Sequence, residues 1–212
     1  MDNVCRGCGL YRADKRIDSS GPDAICPECG HRHRFVQAPL LMVAGASGSG
    51  KTTVCRQLTG VVTQAVLLDA DILWRPEFDD PASRYRDFFE TWLRVCKNIA
   101  QSGRPVVMFG AGFGVPDNIE PCVERRYFST THYLALTCAD AVLVERLQQR
   151  PTWRASAAAG FIDTQLQFNA WFRRHDATPR IDVLDTSNVS LQTTADEVAS
   201  WITRQLGVSA PG

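Results

Sequence analysis

The sequence has no surplus of charge and no long apolar run. Lys+Arg and Asp+Glu each number 23 among 212 residues, for a formal net charge of +0. That balance removes any global attraction to nucleic acid or to an acidic membrane and leaves only local patches to consider. No apolar stretch is long enough to span a bilayer. The opening Met-Asp-Asn-Val-Cys-Arg lacks the charged-then-apolar pattern of a secretion signal, so the expected location is the cytosol. Internal repeats are also missing, apart from one pair of short cysteine knuckles. What is present is a 44% hydrophobic composition, enough for one mid-sized domain or one domain plus a small module.

Cysteine is not scarce, at eight residues, but its placement argues against disulfides. Cys5-Arg-Gly-Cys8-Gly9 and Cys26-Pro-Glu-Cys29-Gly30 are near-copies of each other. In a reducing cytosol, two Cys-x-x-Cys turns at this spacing favour a metal over disulfides. Each turn can aim two thiolates at one cation, and the following Gly permits a positive φ that points backbone N–H groups at sulfur. Cys5, Cys8, Cys26 and Cys29 would close a tetrahedral shell with no open position, which suits structural Zn²⁺ and not a catalytic ion. A segment this short has too small a core to fold alone, so the metal would supply stability. The pattern resembles the zinc ribbons over residues 1 to about 36. His31 and His33 are alternative ligands; alternation along a short strand, with one of them exposed, accounts for both. Six Lys/Arg against five Asp/Glu in this segment argue against a strong phosphate-binding surface. Gln37-Ala-Pro39 reads as the joint, dividing the chain into a ribbon over 1–37 and a second domain over 38–212. Cys55, Cys96, Cys122 and Cys138 sit among apolar residues and read as small buried hydrophobes.

Leu40-Leu-Met-Val-Ala44 is an apolar run of buried-strand character that feeds into Gly45-Ala-Ser-Gly-Ser-Gly50-Lys51-Thr52. This matches G-x-x-x-x-G-K-[ST] at every defined position, between a strand and a helix expected from about Thr52 to Leu58. Gly45, Gly48 and Gly50 let the backbone curl so that its N–H groups face phosphate oxygens, and the helix adds its positive end. Lys51 is placed to reach the β/γ-phosphates of ATP or GTP, and the Thr52 hydroxyl to ligate Mg²⁺. Gly45, Ala46, Ser47, Gly48, Ser49, Gly50, Lys51, Thr52 and Thr53 form the candidate nucleotide-binding stretch.

Further apolar runs at 65–68, 105–109, 132–136 and 181–184 read as strands. Helical patterns lie between and after them at 83–101, 140–149, 161–174 and 195–206. Asp140 is a candidate cap for one helix, and Thr194-Ala-Asp-Glu197 matches a capping box for the last. Alternating strands and helices predict an α/β fold, a parallel sheet covered on both faces, with ligands at the carboxyl ends of the strands. No acidic residue closes the third of these strands, which ends Phe109-Gly110, and that speaks against a motor ATPase.

The phosphate loop, Asp69-Ala-Asp71 after the second strand, the arginines 146, 150 and 154 around Pro151-Thr-Trp153, and Asp185-Thr-Ser-Asn188 together resemble the small P-loop kinases. That group includes the gluconate, shikimate, adenylylsulfate and nucleoside or nucleotide kinases and the chloramphenicol phosphotransferase type. The resemblance covers about residues 40–206. It implies a P-loop three-layer sandwich with a five-stranded sheet of order 2-3-1-4-5, a mobile lid, and ATP-dependent phosphoryl transfer. It places Asp71 on the substrate side, with Asp69 the second carboxylate of the pair; one orients or deprotonates the acceptor hydroxyl while the other holds Mg²⁺ through water. It makes Arg150 and Arg154 lid residues that neutralise the transferring group, with Arg146 beside them; a solvated helix face explains Arg146 equally well. Gly160 and the alanines before it suit a hinge. The resemblance sets Thr186 and Ser187 at the adenine. The run Gly110-Ala-Gly-Phe-Gly114 would let an acceptor approach the backbone.

Trp74, Arg75, Arg84, Tyr85, Arg86, Phe88 and Trp92 follow Asp71 and fall in the acceptor region. Aromatics with arginines suit a nucleoside or nucleoside monophosphate, the first candidate acceptor, while Phe88 and Trp92 also suit an ordinary core helix face. Two other functions stay open: a polynucleotide 5′-kinase guided by the ribbon, and a nucleotide-switched ATPase that docks through it. Neither membrane association nor an oligomeric state is indicated.

Overall fold

In the computed structural model the described residues are 3–18, 20–154, 156–176 and 178–207; the side chain of Arg154 lies outside them. The N-terminal segment folds as three short antiparallel strands, β1 (Arg16–Asp18), β2 (Asp23–Ile25) and β3 (Arg32–Arg34), in the order β1-β2-β3. The two cysteine turns lie before β1 and between β2 and β3. Each closes with a glycine in the left-handed region, Gly9 at φ 76° and Gly30 at φ 72°, whose N–H groups bond the carbonyls of Cys5 and Cys26. The charges of this segment are largely matched internally. Arg32 pairs with Asp18 at 2.6 Å and Asp23 at 3.1 Å, Arg34 with Asp23 at 3.2 Å, and Arg12 with Asp14 and Glu28.

The rest of the chain alternates strands and helices. β4 (Leu40–Ala44) leads into α1 (Lys51–Gln57), then come β5 (Val66–Asp69) and α2 (Arg86–Ala100). β6 (Val106–Phe109) is followed by the short α3 (Pro116–Ile119), β7 (Thr131–Thr137), α4 (Asp140–Gln148), α5 (Ala159–Arg174), β8 (Ile181–Asp185) and α6 (Leu191–Leu206). All five strands are parallel in the order β5-β6-β4-β7-β8. Taken in chain order that is 2-3-1-4-5, as the resemblance implies.

Alternation along β4 separates the two cores. Leu40, Met42 and Ala44 pack with Phe89, Trp92 and Leu93 of α2 and Phe172 of α5. Leu41 and Val43 face the other way, against Val54 of α1 and Val198, Trp201 and Ile202 of α6. Every side chain of β4 is 0% exposed, so the strand that carries the phosphate loop is the most enclosed element in the fold.

Two local expectations are corrected. The last helix begins at Leu191, not at 195; its cap is Ser190, whose hydroxyl accepts from the Thr193 N–H at 3.0 Å, while Thr194 is buried inside the first turn. Ser190 is an equally good capping residue and the tertiary fold starts the helix a turn earlier. Asp140 does not cap α4, which begins after Ala139; its carboxylate instead accepts from Arg173 at 2.6 Å, across to α5. Gly160 lies within the first turn of α5, at the N-terminal end of that helix.

The small sheet is seated on the far end of α2 and on the turn Val123–Tyr127. Phe35, Ala24 and Tyr127 form one apolar cluster, and the Tyr127 hydroxyl donates to the Ala13 carbonyl at 2.5 Å. Lys15 is 0% exposed and donates to the Asn3 carbonyl.

Candidate functional site

The phosphate loop joins β4 to α1 at the carboxyl edge of the sheet. Gly45, Gly48 and Gly50 take φ of 141°, 91° and 102°. At Gly45 a Cβ would meet the Leu136 carbonyl oxygen at 2.3 Å and the Ser49 hydroxyl at 2.6 Å, so no larger residue fits. The Ser49 hydroxyl is buried and, among the described residues, has no hydrogen-bond partner. A buried unpaired hydroxyl in a ring of glycine-lined amides is the donor set expected of an anion cradle.

Lys51, partly buried at the start of α1, donates to the carbonyls of Gly45 at 2.7 Å and Ala46 at 3.0 Å, arching over the loop. Burial lowers its ammonium to about 8; Asp71 and Asp69 pull the other way and Arg150 adds to the lowering. Three residues singled out from the sequence, Asp69, Asp71 and Arg150, are therefore within electrostatic reach of Lys51, from two other segments of the chain. Asp69 ends β5 and accepts from the Asp71 N–H at 3.0 Å, capping the turn that follows. That bond commits Asp69 locally and leaves the exposed Asp71 carboxylate turned to the site.

Two clefts flank this group. The first, about 310 Å³, is bounded by the phosphate loop at Gly48 to Gly50 and Thr53, by Arg146 and Arg150, and by Thr186. Arg146 is bound to the Thr186 loop by two hydrogen bonds, to the hydroxyl at 3.0 Å and the carbonyl at 2.8 Å. The Ser187 hydroxyl is fixed inside the same loop, donating to Asp185 and accepting from the Ala139 N–H at 2.7 Å. The lid-arginine assignment is thus divided: Arg146 braces the loop beside the cleft, and Arg150 lines the cleft itself.

The second cleft, about 260 Å³, opens on the other side of Asp71. Trp74, Tyr85, Phe88, Phe89 and Phe113 supply its aromatic walls, and Asp71 and Asp79 its two carboxylates. Trp74 meets Phe88 edge-on at 5.2 Å, and Phe89 meets Phe113 at 5.0 Å. Arg84 and Tyr85 both hold left-handed φ, 55° and 57°, a strain of about 1–3 kcal/mol each for residues with side chains, which places Tyr85 at the cleft wall. Trp92 belongs to the core at 1% exposure, and its Nε1 donates to the Ala70 carbonyl behind the cleft. The arginines expected beside these rings turn away. Arg75 covers the Phe78 ring at 4.8 Å, and Arg86 donates to the Asn118 carbonyl at 3.3 Å.

The glycine run after β6 serves packing as much as access. A Cβ on Gly114 would stand 2.1 Å from Ala44 Cβ, and one on Gly110 2.7 Å from Ala70 Cβ. Ala111 and Gly112 line the aromatic cleft.

Two site features were not legible beforehand. Gln165 of α5, read only as part of a helical stripe, accepts from the Ser47 N–H at 2.8 Å with its side-chain carbonyl. Asn169, one turn on and 0% exposed, bonds both the N–H (3.2 Å) and the carbonyl (2.7 Å) of Cys138, tying α5 to the strand end beside the loop. Only the i, i+4 spacing of two amides on an otherwise apolar face hinted at either.

At the other end of the molecule the four knuckle sulfurs lie within 4.8 Å of one another, with Cys5 and Cys29 at 3.6 Å and Cys8 and Cys26 at 3.9 Å. Four sulfurs held about 2.3 Å from one ion stand about 3.8 Å apart, so the cluster has the dimensions of a tetrahedral thiolate site. The Gly7 N–H points at Cys5 Sγ, and the His33 ring lies 3.4 Å from the same sulfur, outside the set of four. His31 is exposed.

The sequence model of the AAA domain family matches residues 40–175. Among curated proteins no match is found. Solved structures with a similar fold include an unliganded sugar kinase from Janibacter sp., 16% identical over 82% of this chain and 99% of its own, TM-score 0.57. A gluconokinase from Sinorhizobium meliloti is 21% identical over 82% and 96%, TM-score 0.55. An APS kinase from Mycobacterium tuberculosis, solved with AMPPNP and APS, is 18% identical over 79% and 98%, TM-score 0.54. At these identities the likeness concerns the fold, which is that of the small P-loop kinases.

Proposed function

Because this chain belongs to the AAA domain family, whose match spans residues 40–175, we propose that it is an ATP-dependent phosphotransferase acting on a small molecule, with a structural zinc ion in its N-terminal segment. The observation that carries this reading is that Lys51 is within electrostatic reach both of Arg150, which lines the cleft beside the phosphate loop, and of Asp71, which lines the cleft walled by aromatic rings. A switch protein needs the first cleft only. A transferase needs both, with a carboxylate between them.

In this reading ATP lies along the phosphate loop, its base toward Arg146 and Thr186. An acceptor in the aromatic cleft presents a hydroxyl at Asp71. The hydroxyl oxygen bonds the γ-phosphorus as the bond to the β–γ bridging oxygen breaks. ADP leaves with that electron pair and the acceptor's proton passes to Asp71. Lys51 exchanges its two loop carbonyls for phosphate oxygens, and Arg150 neutralises charge on the moving group. Asp69 positions Asp71 through the turn it caps. The exposed Thr52 hydroxyl is the ligand for Mg²⁺, which when bound offsets charge on the β- and γ-oxygens. Arg154, by its place in the chain, joins Arg150 at the lid.

We divide the chain into a zinc ribbon over 1–37 and a kinase domain over 38–212. Four of the ribbon's six cations give no support to nucleic-acid guidance: Arg12, Arg32 and Arg34 are paired with acids and Lys15 is buried. The test is transfer from γ-labelled ATP with Mg²⁺ across a panel of small alcohols, with Lys51→Ala as control. Labelled product absent in the control supports the reading. Phosphate release alone, unaffected by any acceptor, overturns it.

A further inference from the structure

The aromatic cleft carries more information than the presence of an acceptor site, because of what its walls lack. Among the described residues its two carboxylates are Asp71 and Asp79, beside the Tyr85 phenol, and no Lys, Arg or His lines it. Two of the three nearby arginines are committed elsewhere. Arg75 stacks on Phe78 and faces Glu77 at 3.7 Å, Arg86 is bound to Asn118 and Cys122, and Arg84 is exposed and outside the lining. Arg150 lines the cleft beside the phosphate loop and Lys51 bonds the carbonyls of that loop, where ATP would match both charges.

The geometry points to an acceptor that is a neutral or cationic alcohol with a flat, apolar body, and not a phosphate or carboxylate. This rests on the kinase reading above and narrows its substrate class. The rings of Trp74 and Tyr85 offer faces and edges for stacking, and Phe88, Phe89 and Phe113 close the cleft behind them. An ammonium on the acceptor would find both a carboxylate and aromatic faces. A phosphate or carboxylate would meet Asp79 and Asp71 with no cation in the described lining to pair it, and desolvating it there is unfavourable. The volume, about 260 Å³, suits a small ring-bearing alcohol, being below the ~300–1,000 Å³ of pockets for drug-sized ligands. Nucleosides satisfy these conditions and nucleoside monophosphates do not. In the transfer the alcohol loses its proton to Asp71 and gains the γ-phosphoryl group, so the product is the anion that this cleft holds least well and releases.

The test uses scaffolds that differ only in charge: phenylethylene glycol (neutral), phenylglycinol (cationic) and mandelate (anionic), together with adenosine against AMP and uridine against UMP. Two readings are taken on the full-length protein, kcat/KM for transfer and quenching of Trp74 fluorescence, identified by its loss in Trp74→Phe. The expected result is that neutral and cationic members are favoured over their anionic partners by more than about a hundredfold in kcat/KM, a discrimination set by unpaired like charge. Asp79→Lys should bring that ratio down at least tenfold with the KM for ATP unchanged, and Asp79→Asn should move it the same way by less. Preferred transfer to AMP, mandelate or a 5′-hydroxyl oligonucleotide overturns the inference and leaves the kinase reading standing. Trp74 quenching selective for the neutral and cationic probes without any transfer supports the cleft's preference while the kinase reading fails. Quenching by none of them, with no transfer, overturns both.

Discussion

The Lys97 ammonium of α2 lies 2.6 Å from a carboxylate oxygen of Glu124, and both side chains are buried, at 1% and 0% exposure. The Asn3 amide, 121 residues away in sequence, donates to the other Glu124 oxygen at 2.7 Å, and Arg94 reaches that oxygen at 3.0 Å. Three segments thus meet at one carboxylate, which fastens the N-terminal sheet to the helix that also walls the aromatic cleft.

Removing that carboxylate leaves Lys97 charged and buried. Glu124→Ala should destabilise the protein by about 3–5 kcal/mol, whereas a Lys97→Met, Glu124→Leu double variant should lose far less. Denaturant unfolding measures both. Burial alone would raise the Glu124 carboxyl, but hydrogen bonds from Lys97, Asn3 and Arg94 outweigh it and hold it below the ordinary glutamate value of 4.5. A depressed acid contributes stability that is complete above its unfolded value and is lost as pH falls through the folded value. The wild type should therefore weaken below about pH 4.5, and Glu124→Gln should show a smaller acid loss.

Metal removal should act at the same junction. The four sulfurs have tetrahedral dimensions, and the segment they organise contributes Asn3, Ala13 and Phe35 to contacts with the larger unit. One zinc per chain is expected by elemental analysis. A strong chelator, or Cys26→Ser, should lower the thermal midpoint and expose Tyr127 to solvent, seen in its ultraviolet absorbance. An unchanged midpoint with no metal found would remove the zinc assignment.

Lys51 gives nucleotide binding a pH dependence. Burial places its ammonium at about 8 in the free protein, and phosphate oxygens raise it on binding. Above about pH 8 binding must take up a proton, so ATP affinity should be flat below that pH and fall up to tenfold per unit above it. Lys51→Arg, which stays charged, should bind more weakly but without the step. Calorimetry across buffers of different ionisation enthalpy reads the proton uptake directly.

The two carboxylates at the end of β5 should not be equivalent. Asp71→Asn removes the group facing the acceptor and should lower kcat by about 10²–10⁴-fold with little change in ATP affinity. Asp69→Asn keeps an acceptor for the Asp71 N–H, so its loss should be smaller. Equal losses, or a larger loss at Asp69, would reverse the assignment.

Gln165 tests how α5 communicates with the phosphate loop. Gln165→Glu preserves an oxygen for the Ser47 N–H but sets a negative charge at the loop. ATP affinity should fall by about tenfold or more, and salt should recover part of it. Full affinity in this variant would mean that the side chain leaves the loop before phosphate arrives.

The sequence by itself determined whatever is written in short-range pattern. Five apolar runs separated by helical periodicity specified the strands and helices. Eight consecutive residues from Gly45 specified the phosphate loop, because its chemistry resides in glycine conformations and one lysine next to one another. Two Cys-x-x-Cys turns specified the sulfur cluster for the same reason. Caps were less secure, since Ser190 and Thr194 satisfy the same rule and only packing chose between them. Tertiary structure alone decided what depends on residues far apart in the chain. It set Gln165 against Ser47, brought Asn3 to Glu124, and turned Arg75 and Arg86 away from the aromatic cleft. No local pattern predicts the direction of a long side chain or the partner of a buried charge, because both are fixed by which surfaces the sheet order brings together.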